Sequence, residues 1–373
     1  MKNVLIIGGG FAGVAAAGFF ARHTGAAMVT LIDKSAYCNS LPLLPDVIGR
    51  DIPPGLLVYP IKKVSRRLGF NFLNKEVLAL DMVKKEVSTS LGAVRYDYLL
   101  IACGSETNFY GNDVLKKHAR KLDDAADAKK IRDTLDGRDF DTHIISGGGY
   151  TGIEIATNLR RYLNTRSKKG RVIIVERAPS ILGPLPEWMK RYVSANLARM
   201  GIEVRTNTVI DKTEEGRVWL SGDERIDNAL LIWAAGVKIP PFAQAVMVEK
   251  NPQGRLKVDE YLRLGESCFA AGDAAYFSYK GDFLRMGVQF AVTEGVCAAA
   301  NILNSINGKA PVSFRPFDPG YVVPMANNYS CARIFGSNMR GRPAIFLHYL
   351  MSVYRSRGSR NRLGIIKHLC AGA

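Results

Sequence analysis

VLIIGGGFAGVAAAGFFARHTGAAMVTLID, residues 4–33, decides the fold. Val4 to Ile7 is an apolar run that suits a buried parallel strand. Gly8, Gly10 and Gly13 follow at the spacing G-x-G-x-x-G, with Phe11 and Ala12 inside it. The glycines have separate tasks: a tight turn, close approach of backbone to a pyrophosphate, and packing of helix on strand. The alanine-rich run after Gly13 is helical in character, and its N-terminus would offer free N–H groups to phosphates. Val29 to Ile32 reads as a second strand, ending at Asp33 and Lys34. Asp33 stands twenty residues beyond Gly13, where a carboxylate can accept from a ribose. A lone G-x-G-x-x-G is weak evidence, but here strand, helix and distal acid are all present, so a dinucleotide site is expected.

The same arrangement recurs. THIISGGGYTGIEIATNL, residues 142–159, carries Gly147, Gly149 and Gly152, with Tyr150 and Thr151 between them. The strand Arg171 to Val175 ends at Glu176, followed by Arg177. Two complete fingerprints in one chain predict two bound dinucleotides. A carboxylate at Glu176 accepts from a free ribose 2′-hydroxyl and repels a 2′-phosphate, which favours NADH over NADPH; Arg177 is the counter-argument. Glu154, two residues past Gly152 in the first turn of that helix, could contact the nicotinamide or simply complement the helix dipole.

Length and charge bound the rest. The chain has 373 residues, room for two or three domains. Its net charge of +17 calls for an anionic partner, whether membrane surface, nucleic acid or acidic substrate. The cysteines (38, 103, 268, 297, 331 and 370) form no C-x-x-C pair and match no zinc spacing, so no metal is expected and a reducing compartment is. The N-terminus does not read as a signal peptide, and no apolar run approaches the ~20 residues that span a bilayer.

Between the fingerprints, prolines 42, 45, 53, 54 and 60 argue for a crossover with short helices. Tyr96 to Ala102 reads as a buried strand delivering Cys103 and Gly104, and Leu230 to Gly236 as another ending at glycine. CFAAGD, residues 268–273, brings Gly272 and Asp273 to a helix start, where the Asp could bond a ribityl hydroxyl of FAD. A helix rich in small residues follows. After Asp318 there is no acid, while arginines stand at 333, 340, 342, 355, 357, 360 and 362. In PAIFLHYLMSVY, residues 343–354, and the arginine after it, His348, Ser352 and Arg355 form a narrow polar stripe on an apolar helix. NRLGIIKHLC, residues 361–370, repeats the theme. Apolar faces flanked by arginines read as helices lying in a membrane interface; core helices or a homodimer interface are the other uses. Arginines set among apolar helices, rather than exposed aromatics, favour membrane over nucleic acid.

These residues resemble the type II NADH dehydrogenases, single-subunit NADH:quinone oxidoreductases of the two-dinucleotide-binding flavoprotein superfamily. The narrower matches are PLLPDVIGRDIPPGLLVYPI (42–61), YDYLLIACGSETNFYG (96–111) and SRNRLGIIKHL (359–369). The resemblance implies an α/β fold of two Rossmann-like domains with a C-terminal amphipathic helical membrane-binding region. It implies a discontinuous FAD domain (1–108 and 255–318), an NADH domain (109–254) and a membrane-associating region (319–373). FAD falls to Gly8, Gly10, Phe11, Ala12, Gly13, Asp33, Lys34, Ala102, Cys103, Gly104, Gly272 and Asp273. NADH falls to Gly147, Gly149, Tyr150, Thr151, Gly152, Glu154, Glu176, Arg177 and Gly236. Membrane quinone falls to Gln289, Phe290 and Thr293, with Glu154 and Gln289 in the catalytic roles. The family's quinone pattern A-Q-x-A-x-Q reads V-Q-F-A-V-T here, with Thr293 in place of the last Gln. Attachment would be peripheral, to an anionic lipid surface on the cytoplasmic side of the cell membrane. Two rivals stand beside it. A sulfide:quinone oxidoreductase would need a reactive cysteine pair, and a basic redox-sensing flavoprotein would act mainly by binding a partner or nucleic acid.

Overall fold

The computed structural model describes residues 1–23 and 25–371. The fold is α/β with parallel sheets, and the chain divides into two compact units.

The first unit comprises Met1–Cys38, Tyr59–Glu106 and Val237–Asp318. Its five-stranded parallel sheet runs Cys268–Ala270, Tyr98–Ile101, Lys2–Ile7, Ala27–Asp33, Asn71–Asn74. Val4 to Ile7 are buried, as β-branched and leucine residues in a strand covered on both faces should be. The fingerprint helix Phe11–Phe20 lies against the helix Val288–Ile306. They approach so closely that a Cβ on Gly295 would sit 2.2 Å from the Ala12 carbonyl oxygen. An antiparallel three-stranded sheet, Val77–Asp81, Glu86–Thr89 and Gly92–Arg95, and the helix Ile61–Leu68 also belong to this unit.

The second unit comprises Asn39–Val58, Thr107–Gly236 and Pro319–Ala373. Its parallel sheet runs Ile202–Arg205, Arg171–Val175, Thr142–Ser146, Ala229–Trp233. Helix Tyr150–Thr165 carries the second fingerprint. The proline-rich crossover forms short helices at Leu41–Leu43, Asp46–Gly49 and Pro54–Leu56.

These divisions differ from the boundaries read from the sequence. Residues 39–58 group with the second unit because Leu43, Leu44, Val47, Ile52 and Leu57 are buried with Ala125, Ala128 and Ile365. The C-terminal region is not separate: Val323, Met325 and Cys331 share a core with Ile145, Ile153 and Leu159. It opens with an antiparallel sheet, Gly320–Val323, Cys331–Ile334 and Ser337–Arg340, that the sequence reading does not anticipate. Helices Arg342–Arg355 and Ser359–Ala371 follow. Their exposed face is apolar: Phe346 (67%), Leu350 (52%), Tyr354 (70%) and Leu363 (68%). The stripe of His348 and Ser352 is turned inward; Ser352 is buried and its hydroxyl donates to the His348 carbonyl. No helix among the described residues is long and apolar enough to cross a membrane.

Candidate functional site

The first fingerprint is a cradle built to leave backbone, not side chain, at its floor. Gly8 has φ +113°, and a Cβ there would lie 2.1 Å from the Ala102 carbonyl oxygen. A Cβ on Gly13 would lie 1.9 Å from the Gly8 carbonyl oxygen. Gly10 is different: nothing lies within 4 Å of its Cβ direction, so it leaves open space at the helix start. Asp33 is pre-oriented, accepting from the Gly9 N–H at 2.6 Å and the Ser35 N–H at 2.6 Å. Burial holds its carboxyl above the usual range against these bonds. A cavity of about 370 Å³ opens here, lined by Gly8, Asp33, Lys34, Glu76, Cys103 and Phe242 among others. Its size and mixed lining suit one arm of a dinucleotide.

The far end of the FAD set lies in the same unit. Gly272 (φ +72°) begins a single helical turn, Gly272–Ala274, shorter than the helix start expected. Asp273 accepts from the Ser105 hydroxyl at 3.0 Å, and burial raises its carboxyl. Two side chains absent from the sequence reading's site set support this turn. Glu294 is 2% exposed and accepts from the Gly272 N–H at 2.6 Å; burial pushes its carboxyl up to about 8. Arg255, also buried, donates to the Asp273 carbonyl at 3.0 Å. An acid within the apolar helix VQFAVTEGVCAAANIL is the signal that could have marked Glu294. Gln289 and Phe290 lie in the first turn of that helix, Gln289 half-buried and Phe290 buried under Arg285. Thr293 spends its hydroxyl on its own helix, donating to the Gln289 carbonyl at 2.9 Å.

The second unit repeats the first cradle. Gly147 has φ +107°, a Cβ on Gly152 would lie 1.9 Å from the Gly147 carbonyl oxygen, and Gly149 faces open space. Glu176 accepts from the Gly148 N–H at 2.7 Å and the Ala178 N–H at 2.8 Å, the same two-point clamp as at Asp33. Thr151 and Arg177 are exposed and Tyr150 half-buried at the rim. Gly236 (φ +88°) turns the chain after its strand, with the Tyr110 hydroxyl against it. Glu154 is not in the first helical turn, which holds no acid, so dipole complementation does not account for it. It reaches instead into a small polar cavity with Asp46, Asn158, His348 and Tyr349.

Cys103, Cys297 and Cys331 are held as thiols rather than nucleophilic thiolates. Burial pushes Cys103 and Cys331 up to about 12 and Cys297 up to about 11, the opposite of a reactive thiolate. Among the described residues, no cluster of three or more His, Cys, Asp or Glu could hold a metal ion.

Two Gly cradles, each closed by a distal acid, define a group of proteins, and the pyridine nucleotide-disulphide oxidoreductase family profile matches residues 2–295. The chain belongs to that family. Curated relatives include the type II NADH:quinone oxidoreductase of Staphylococcus haemolyticus, 27% identical over 374 residues and covering 93% of each chain. That of Staphylococcus aureus is 26% identical over the same share. Among solved structures, NDH2 from Plasmodium falciparum in complex with NADH matches with a TM-score of 0.84, at 18% identity, over 99% of this chain and 97% of that one. The sulfide:quinone oxidoreductase of Aquifex aeolicus matches with a TM-score of 0.77, at 17% identity, over 98% and 92%. At these identities both structural likenesses speak to fold alone.

Proposed function

We propose that this chain is a type II NADH:quinone oxidoreductase, a flavoprotein with FAD in the first unit and NADH in the second. The observation that carries the reading is the duplicated cradle, each with a carboxylate fixed by two backbone N–H groups. FAD fits the first: the glycines admit a pyrophosphate, Asp33 meets a ribose, and Asp273 stands beside a buried Gly turn. FAD, when bound, would supply the redox chemistry, namely acceptance of a hydride from NADH and passage of two electrons, with two protons, to quinone. The protein's part is to hold and orient. Glu176 accepts from the NADH ribose and Glu154 faces the nicotinamide end of the cradle. Gln289 offers a hydrogen bond to a quinone carbonyl, with Phe290 and Thr293 beside it. The Thr at 293 removes an amide the family's pattern has there, which points to a quinone held by fewer polar contacts.

The C-terminal helices serve as a peripheral anchor. An apolar face carrying Phe346, Leu350, Tyr354 and Leu363, in a region free of acids after Asp318, suits an anionic lipid surface on the cytoplasmic side. The sulfide reading is disfavoured by the raised thiols.

The test is an anaerobic titration of the yellow protein. Stoichiometric NADH should bleach the flavin's visible band, sulfide should leave it unchanged, and added quinone should restore it. Bleaching by sulfide and not by NADH overturns the reading.

A further inference from the structure

The cavity beside Glu154 is used by neither fingerprint. It has a volume of about 10 Å³ and is lined by Asp46, Glu154, Asn158, His348, Tyr349 and residues 324–326 among others. A polar cavity of about this size accommodates one water, provided two to four polar partners surround it. The partners are present. Asn158 is 4% exposed, and its side-chain oxygen has no hydrogen-bond partner, although its amide nitrogen donates to the Glu154 backbone carbonyl at 3.0 Å. Among the described residues, the Glu154 carboxyl has neither a hydrogen bond nor an ion pair. Asp46 is 3% exposed. Its Oδ1 accepts from the Tyr349 hydroxyl at 2.9 Å and lies 3.2 Å from Arg50 Nε. The two acid-bearing helices are pinned together, since a Cβ on Gly49 would fall 2.4 Å from the Asn158 carbonyl oxygen.

We propose that Asp46, Glu154 and Asn158 enclose one ordered water and hold a proton between the two carboxyls, making Asp46 a positioning residue for the Glu154 side chain. Asp46 is buried and Glu154 half-buried, and two carboxylates lining one small cavity do not both ionise readily, so the proton is shared. The charged and titratable groups facing the pair are Arg50 beside Asp46, Arg161 on the Glu154 helix, and His348 and Tyr349 on the C-terminal helix. Their effects agree with this picture. Burial pushes Asp46 up to about 6, with Arg50 and Tyr349 opposing. Burial first, then Asp46, carries Glu154 well above the usual range. Burial also depresses His348 to about 4, so it adds no positive charge at neutral pH.

The consequence rests on the reading that Glu154 faces the nicotinamide. Oxidation of NADH leaves a positive charge on that ring. A protonated Glu154 presents no counter-charge, so NAD+ is released; an ionised one would retain it. Tyr349 lies on the helix whose other face is the exposed apolar one, so that helix contributes a donor to the acid pair.

The experiment uses infrared spectra of the oxidised holoenzyme across pH, with NAD+ inhibition measured in parallel. Wild type should show a protonated carboxyl band at pH 7 that is lost in Glu154→Gln. Asp46→Asn removes the neighbouring charge and should move the band's midpoint down by about one pH unit. Tyr349→Phe removes a donor that favours the ionised Asp46, and should move the pair's midpoint up; it also serves should the Asn variant fold poorly. NAD+ affinity in wild type should rise about tenfold as pH passes the band's midpoint. The absence of a band sensitive to Glu154→Gln, or midpoints unmoved in both other variants, overturns the proposal. A titrating band with pH-independent NAD+ affinity supports the acid pair and removes the nicotinamide contact instead.

Discussion

Replacing Gly149 and Gly152 by alanine separates the two jobs that glycine does in the second cradle. At Gly152 a Cβ would lie 1.9 Å from the Gly147 carbonyl oxygen, about 1.5 Å short of ordinary contact at 3.4 Å. The obstacle is backbone, which cannot rotate away, so the helix start must retreat from the strand. Overpacking of this kind costs about 1–3 kcal/mol. For a protein of this size the melting temperature should fall by ~2–4 °C per kcal/mol. At Gly149 the backbone is extended, with φ −80° and ψ −172°, and nothing lies within 4 Å of the Cβ direction. Alanine there should change unfolding by no more than about 0.5 kcal/mol. Its methyl group would, however, occupy the space a pyrophosphate needs, and NADH affinity should fall about tenfold or more, roughly 1.4 kcal/mol. The assay pairs thermal unfolding without nucleotide against the NADH concentration dependence of flavin reduction in stopped flow. Gly149→Ala should melt like wild type and bind NADH poorly, while remaining yellow. Gly152→Ala should melt early. If Gly149→Ala melts as early as Gly152→Ala and binds NADH normally, the cradle does not hold the nucleotide. The twins Gly10→Ala and Gly13→Ala should show the same contrast for FAD retention.

Glu176→Ala removes an acceptor and frees the N–H groups of Gly148 and Ala178. Charged hydrogen bonds are worth about 1.5–3 kcal/mol, so kcat/KM for NADH should fall roughly 10- to 100-fold and the NADH-to-NADPH ratio should narrow, measured with both nucleotides. Burial pushes the Glu294 carboxyl up to about 8 in the fold, against an ordinary value near 4.5. The folded state therefore holds the extra proton, and this group's contribution is complete below about pH 4.5 and lost as pH rises through about 8. Glu294→Gln should flatten the wild-type fall in melting temperature between about pH 5 and 8; an unchanged slope would reject the assignment. Serine at Phe346, Leu350 and Tyr354 together should abolish sedimentation with anionic vesicles, since each buried apolar side chain contributes about 1.5–3 kcal/mol. NADH oxidation by a soluble acceptor should survive, and unchanged sedimentation would place the anchor elsewhere.

The two cradles are legible in the sequence. Gly8, Gly13, Gly147 and Gly152 are required by backbone-to-backbone approach, and Asp33 and Glu176 by the strand ends they follow. The Gly13–Gly8 and Gly152–Gly147 approaches and the acids at the strand ends are local consequences of strand–turn–helix geometry, which spacing reveals, whereas the Ala102 and Ala234 backbones that crowd Gly8 and Gly147 come from distant strands. The inward or outward sense of the C-terminal helix was not local. A polar stripe of His348 and Ser352 predicts a solvated face only if the apolar side has a core to cover. Here Ile345 and Ala344 are buried beside that stripe, and Phe346, Leu350 and Tyr354 face outward. Tertiary structure likewise decided that Asp46, from a proline-rich crossover, meets Glu154 and Tyr349, residues 108 and 303 positions away in the chain. Long-range burial raises and couples these acids, and no spacing rule carries that information, because desolvation depends on what the rest of the chain packs around a group.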